Sequence, residues 1–429
     1  MYRRAILSFL FALGTASAFA VPTSDNLSRS AEGYESLDAQ SVDELDTNGQ
    51  ADLTLFMQSN SRSSVIAQKR MNNNTLRWFV RGVIGELYHN IFLRQFNRLR
   101  GIRQDNQTCR QQCKNEIAIV TGATGGIGSH MAHELAIRGY DVIVAARDDT
   151  RGKQLVNEIK ERLADIPACK SNAVASEALP DILFVEYHAD NPQSALDLAS
   201  AVKDLNRQVT VLINNAGIMG KSKQLTMKVN LLGPVLLTLA LLPLMENSPK
   251  DMTVINVGSS AHLRATHVID EDITLKKGET YINALPNTED RDLSTYSQSK
   301  LALMQFSTLL RYTMSKRDSE IPIIFDAHPG LVWTPLLRNH IGDKATNILH
   351  KTGLANLIYK TPLEGAQAIV AAVDYSLEGP RKEQIYFENG QPGGFATHES
   401  RDHLAALKLW NQVIQPAVKE WVKIPDELV

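Results

Sequence analysis

The chain has 429 residues, 43% of them hydrophobic and 21% charged, with a net charge of −2. That length exceeds what one core usually organises, so one domain of about 250–300 residues with added segments is expected. The near-neutral balance offers no electrostatic footprint for a nucleic-acid partner.

The first 20 residues read as a targeting segment. Arg3 and Arg4 form a positive start, Ala5 to Ala20 carries no charge, and Ala16, Ala18 and Ala20 suit signal-peptidase cleavage. A signal peptide or an uncleaved signal anchor fits this pattern, and either sends the chain into the secretory pathway. The string Ala16-Ser17-Ala18-Phe19-Ala20 also resembles the Phe-centred cleavage site of proteins bound for complex plastids. Against that, Val21 to Lys69 holds eight acids and three bases, whereas transit peptides are poor in acids. Residues 21–70 are polar, and disorder is expected there. Residues 71–113 form a basic extension. Within it, Trp78, Phe79, Val83, Ile84, Leu87, Ile91 and Phe92 recur at helical spacing among arginines. Such a helix either lies on a membrane surface, as a peripheral contact through residues 75–103, or packs on the main domain. Sequons at Asn26, Asn73 and Asn106 agree with a lumenal route. Cys109, Cys113 and Cys169 are too few for a disulfide framework, and with no histidine near the first two no metal site is expected.

Residues 114–429 carry the main domain. Strands are expected at Ile117–Val120, Val142–Ala145, Ile182–Tyr187, Val209–Ile213, Thr253–Val257, Ile321–Asp326 and Gln384–Phe387, with helical patterns between them. This alternation predicts an α/β fold, a doubly wound parallel sheet of Rossmann type. Leu231 to Met245 is very apolar but short and holds Pro234 and Pro243, which predicts a buried core helix rather than a membrane span.

After the first expected strand comes Thr121-Gly122-Ala123-Thr124-Gly125-Gly126-Ile127-Gly128, then an apolar-periodic helix. Glycines let the backbone turn sharply and approach a pyrophosphate, which the helix N-terminus then receives. Gly122, Thr124, Gly126, Ile127 and Gly128 are the candidate contacts. The second strand ends at Arg147, where a dinucleotide site for NAD usually has an acid for the ribose hydroxyl. A guanidinium there suits a 2′-phosphate, so NADP(H) is the expected cofactor. The fourth strand runs into Asn214-Asn215-Ala216-Gly217, whose small residues leave room for the ribose. Tyr296 and Lys300 are four apart and share a helix face. Reduction of a carbonyl makes an alkoxide that needs a proton, and an ammonium beside a phenol favours the phenolate.

Together these strings resemble the short-chain dehydrogenase/reductase family from Lys114 to about Trp410. Thr121–Gly128 corresponds to its TGxxxGxG, Asn214–Gly217 to its NNAG and Tyr296–Lys300 to its YxxxK. The resemblance implies that Asn230 positions a water on the proton relay and that Ser259, with Ser260 as the neighbouring alternative, hydrogen-bonds the substrate oxygen. It further implies that Asn215, Ala216, Gly217, Tyr296 and Lys300 line the cofactor site. In Pro329-Gly330-Leu331-Val332-Trp333-Thr334, Val332 would hold the nicotinamide amide and Thr334 a phosphate.

Ser259-Ser260-Ala261-His262, Thr361-Pro362-Leu363-Glu364-Gly365-Ala366, Tyr386-Phe387 and the late Trp410 are similar to the retinol dehydrogenase and WW-domain oxidoreductase-like subgroup, although no WW domain is present. That subgroup implies a hydrophobic substrate of the retinoid, steroid or lipid aldehyde class. A catalytically silent NADP-binding interaction protein is the alternative, weakened by the complete set Asn230, Ser259, Tyr296 and Lys300. The oligomeric state is left open, a homodimer among the options.

Two departures stand out. His188 occupies the place of the family's adenine-binding Asp, with Asp190 as a substitute in shifted register. Tyr296 follows Ser259 by 37 positions, a long separation filled by a polar segment. That segment is expected to be a flap beside the substrate pocket or an inert surface excursion.

Overall fold

Successive side chains of a strand point to opposite faces, so a strand buried on both sides feeds two cores at once. The computed structural model describes residues 116–165, 179–245, 252–315, 322–341, 359–377, 386–393, 396–425 and 428. In β1 (Glu116–Thr121), Ile117 and Ile119 enter one buried cluster while Ala118 and Val120 enter the other. The remaining strands are β2 (Asp141–Ala146), β3 (Ile182–Glu186), β4 (Gln208–Asn214), β5 (Thr253–Val257), β6 (Ile323–His328), β7 (Tyr386–Glu388) and β8 (Gln391–Pro392). They form one sheet in the order β3-β2-β1-β4-β5-β6-β7-β8. All neighbours are parallel except β7 and β8. This is the doubly wound α/β arrangement, with the strand order reversing between β1 and β4.

The principal helices are α1 (Ile127–Ile137), α2 (Asp149–Asp165), α3 (Pro192–Asp204), α4 (Lys223–Met245), α5 (Ser294–Met314), α6 (Pro335–Ile341), α7 (Pro362–Leu377) and α8 (His403–Leu409). Buried residues of α1, α2 and α7 pack on one face of the sheet. Those of α3, α4, α5 and α8 pack on the other. A reciprocal capping box opens α7: Glu364 accepts from the Thr361 amide at 2.8 Å, and Thr361 Oγ1 accepts from the Glu364 amide at 3.3 Å. That contact accounts for the Thr-Pro-Leu-Glu string.

The apolar run at Leu231–Met245 lies within α4 and is almost entirely buried. A π-helical turn at Lys228–Leu232 interrupts α4. Pro234 has no N–H to offer the carbonyl of Asn230 four residues back, which is the local reason the ladder shifts there.

Two strands differ from expectation. β6 runs to His328, two residues beyond the expected Asp326. β7 turns back through Asn389-Gly390 (φ 56° and 86°) into β8. Both positive angles belong to the type I′ hairpin that Asn-Gly favours. The targeting segment, the polar stretch, the extension at 71–113, the three cysteines and the three sequons lie outside the described residues.

Candidate active site

The C-terminal ends of β1 and β4 flank the crevice where an open α/β sheet takes its ligand. Gly122 and Gly126 adopt φ of 63° and 53°, which disfavours any other residue. At Gly128 a Cβ would stand 2.4 Å from the Gly122 carbonyl oxygen and 2.8 Å from Asn215 Nδ2. At Gly125 nothing lies within 4 Å of that position, so the loop is open on one side and closed on the other. Thr124 and Ile127 are half-buried in the same loop. The Asn215 amide nitrogen donates to Thr121 O at 2.8 Å. Thr121 Oγ1 accepts from the backbone N–H of Asn215 (2.9 Å) and Ala216 (3.0 Å). The second motif is thereby laced to the first. A Cβ-free cradle at the start of a helix fits the pyrophosphate of a dinucleotide.

At the outer end, Arg147 is exposed just past β2. Asp190 is exposed beyond β3. His188 pairs with Glu186 at 2.8 Å, and its backbone N–H donates to Ser194 Oγ at 2.9 Å. Ala189 packs against α4, since a Cβ on Gly233 would meet its carbonyl oxygen at 2.4 Å.

The four candidate catalytic residues come from two helices and the turn after a strand. Asn230, fully buried in the π turn of α4, accepts from the Ile218 amide and donates to the Ile218 carbonyl, both at 2.9 Å. It also donates to Ser299 Oγ at 3.0 Å. Its side chain thus pins the stretch beyond Gly217 to the tyrosine's helix. Ser259, shortly after β5, stands close enough to the Tyr296 phenol to act on its ionisation, which selects it over the buried Ser260. Tyr296 and Lys300 project from α5, with the ammonium 6.0 Å from the ring centre. Lys300 Nζ donates to Val257 O at 2.8 Å. A Cβ on Gly217 would lie 3.4 Å from Asn230 Oδ1 and 3.8 Å from Lys300 Nζ, ordinary contact distances that put the end of this motif beside both side chains.

Burial dominates the electrostatics. It pushes the Tyr296 phenol above its ordinary value, while the Ser259 hydrogen bond acts in the opposite direction. It pushes Lys300 down to about 8. The spacing of the pair predicts that Lys300 lowers the phenol. In the fold, desolvation instead dominates both groups, raising the phenol against Ser259 and lowering the ammonium.

The Pro329–Thr334 segment closes the crevice from the far side. A Cβ on Gly126 would lie 3.3 Å from Thr334 Cγ2, so the segment borders the glycine loop. Val332 is buried and forms a parallel bridge with Lys360. Lys360 carries no sign of its role in the sequence. Its buried Nζ donates to Pro329 O at 3.1 Å and to Asn389 Oδ1. Gly330, at φ 86°, lies tightly against Lys360 and Asn389. The signal available was its place before Thr361-Pro362 and the Asn-Gly turn, but nothing local links positions 330, 360 and 389. Asp290 is likewise not apparent from sequence as a functional residue. It is buried directly under the start of α5. A cleft lined by Thr266, His267, Asp270, Gln305 and Lys408 lies elsewhere, and Ser259, Tyr296 and Lys300 are not among its walls.

The short chain dehydrogenase family profile matches residues 116–269. Polyprenol dehydrogenase of Mus musculus is 31% identical over 306 residues, covering 68% of this chain and 81% of the relative. The Homo sapiens polyprenol dehydrogenase is 32% identical, covering 70% and 84%. Retinol dehydrogenase 14 of Mus musculus is 27% identical, covering 74% and 90%. With relatives of this identity spanned over most of their length, and with the glycine cradle and the Ser259–Tyr296–Lys300 cluster in one crevice, the chain belongs to the short-chain dehydrogenase/reductase family of oxidoreductases.

Proposed function

We propose that the protein is an NADP(H)-dependent oxidoreductase acting on a hydrophobic alcohol or carbonyl of the retinoid, steroid or lipid aldehyde class. The observation that carries this reading is the contact of Ser259 with the buried Tyr296 phenol, with Lys300 one turn along the same helix. The bound cofactor supplies or accepts the hydride. The chain's own residues supply the proton: Tyr296 Oη gives one to the oxygen of a reduced carbonyl and takes one back from an alcohol. Ser259 Oγ hydrogen-bonds that same oxygen. Lys300, held by Val257 O, keeps a cationic donor near the phenol and within reach of the ribose side of the crevice. Asn230 holds the Ile218 backbone with its side chain, and it would position a water on the relay.

The glycine cradle, with Thr334 beside Gly126, supports the phosphate end of the cofactor site. Arg147, exposed at the end of β2, supports a 2′-phosphate. Asn215, Ala216 and Gly217 would flank the ribose, and Asp190 would serve the adenine side. The resemblance to polyprenol and retinol dehydrogenases supports a long apolar alcohol or its aldehyde as substrate.

The test is NADPH oxidation by the purified protein with a panel of apolar aldehydes and ketones, repeated for Tyr296→Phe. The variant should turn over at least about a hundredfold more slowly, as general acid–base catalysis typically supplies 10²–10⁴. NADPH binding, followed by fluorescence titration, should stay close to the parent's. No turnover by the parent on any apolar carbonyl or alcohol would refute the reading.

A further inference from the structure

Part of the segment between Ser259 and Tyr296 is built into the core. Val268, Tyr281, Ile282 and Leu285 are buried in the core cluster that α4 and α5 also build. Tyr281 Oη accepts from the Asp270 amide at 2.8 Å.

The far end of the segment is stitched to the start of α4. The Lys223 amide donates to Thr288 O at 3.1 Å, and the Asp290 amide donates to Lys221 O at 2.9 Å. Gln224 Nε2 donates to the carbonyls of Asn283 and Leu285, both at 2.8 Å. Ser222 and Glu289 form an antiparallel bridge.

The same end then caps α5. Asp290 is 1% exposed. Its Oδ1 accepts from the Thr295 amide at 3.0 Å and from Ser294 Oγ at 3.2 Å, and its Oδ2 accepts from the Tyr296 amide at 2.8 Å. Leu293, at the capping position, has φ 60° and makes no side-chain cap. The first amides of a helix have no acceptor inside it, and a leucine in the left-handed region is strained. The start of α5 therefore depends on a carboxylate three residues upstream of its cap.

We propose that Asp290 is a positioning residue for Tyr296 and that the 265–293 segment is a brace. It ties the helix carrying Asn230 to the helix carrying Tyr296 and Lys300. The proposal rests on the reading of Tyr296 as the proton-transfer group. Tyr296 is the third residue of α5, in the turn that frays first, and Asp290 holds its own amide. Charge-assisted hydrogen bonds to a buried carboxylate are among the stronger ones available for this. An error of about 1 Å in a reacting group costs on the order of 10²-fold in rate.

The test uses the full chain with Asp290→Ala, Asp290→Asn and the double variant Asp290→Ala/Leu293→Gly. Glycine removes the strain at the cap and restores the helix start without the carboxylate. In Asp290→Ala, kcat should fall by about 10- to 100-fold, with the Kd for NADPH within about threefold of the parent. Asp290→Asn, which keeps one acceptor oxygen, should fall between the two. The double variant should recover thermal stability and leave kcat low.

Ionisation of Tyr296 gives a readout that needs no turnover. It is taken as the ultraviolet titration of each protein minus that of its Tyr296→Phe partner. The midpoint should drop towards the ordinary tyrosine value in Asp290→Ala, because a displaced phenol is less buried. A double variant that regains kcat together with stability would make Asp290 merely structural and overturn the proposal. An Asp290→Ala protein with parental kcat and an unmoved phenol midpoint would do the same. If the parent turns over no carbonyl, the reading of the reaction fails, and the titration still decides the positioning.

Discussion

Burial moves Tyr296 and Lys300 toward neutrality from opposite directions, and this sets a pH dependence of stability. Lys300 has a folded value of about 8, below the ~10.4 of an unfolded lysine. Between those values the unfolded chain binds more protons, so the group's contribution to stability rises with pH across the window. Below about 8 its penalty is constant. Relative to Lys300→Met, the parent should therefore gain stability between about pH 8 and 10, read from urea midpoints. A difference flat across that range would mean that Lys300 is not desolvated.

Arg147 answers a separate question at the same scale. It is exposed, so its removal should leave the fold intact. Hydrogen bonds to a charged phosphate are worth about 1.5–3 kcal/mol, so Arg147→Ala should weaken NADPH by about 10- to 100-fold. NADH, which lacks the phosphate, should change little. Equal loss for both cofactors in binding titrations would count against the 2′-phosphate reading.

At the level of elements, the glycine loop behaves as two halves. Gly128 has no room for a methyl group, since backbone of Gly122 and Ala123 lies within 2.9 Å of a Cβ there. Gly125 faces open space. Gly128→Ala should cost about 1–3 kcal/mol by overpacking, whereas Gly125→Ala should unfold like the parent. If Gly125→Ala nevertheless weakens NADPH binding, the open side is where the phosphates pass. Equal stability losses at the two positions would contradict the packing.

The same element shows what was legible in advance. A strand, a glycine string and a helix in succession leave few alternatives, as do seven apolar runs separated by helical patterns. Tyr296 and Lys300 were legible because a helix brings residues four apart onto one face. Asp290 and Lys360 were not. Asp290 reaches an amide past a left-handed leucine, and Lys360 meets Pro329 and Asn389 some thirty positions away on either side. Neither contact leaves a local period. The Asn389-Gly390 turn did carry a local signal, and β8 could have been read from it.

For the molecule as a whole, the matched family region stops at residue 269, yet the helix carrying Tyr296 and Lys300 and the wall packed on it come from described residues beyond it. Trp410 has no exposed surface, and it belongs to the cluster built by α3, α4 and α5. Its Nε1 donates to Leu428 O at 2.7 Å, fastening the end of the chain over the same core. α8 packs along α5 just before it, and Gln305 and Thr308 of α5 donate to the carbonyls of Glu399 and Ser400. The C-terminal segment is thus a wall packed on α5 rather than an appendage.

Replacing a fully buried tryptophan by alanine costs about 3–5 kcal/mol. Trp410→Ala should lower the melting temperature strongly, and Trp410→Phe, which keeps a ring and loses the bond to Leu428, should fall in between. Because the wall lies behind α5 and not in the glycine cradle, the NADPH dissociation constant of the folded fraction should stay near the parent's. A Trp410→Ala protein that melts with the parent would show that this wall does not support the core. One that keeps its stability but loses NADPH would relocate the segment to the cofactor side.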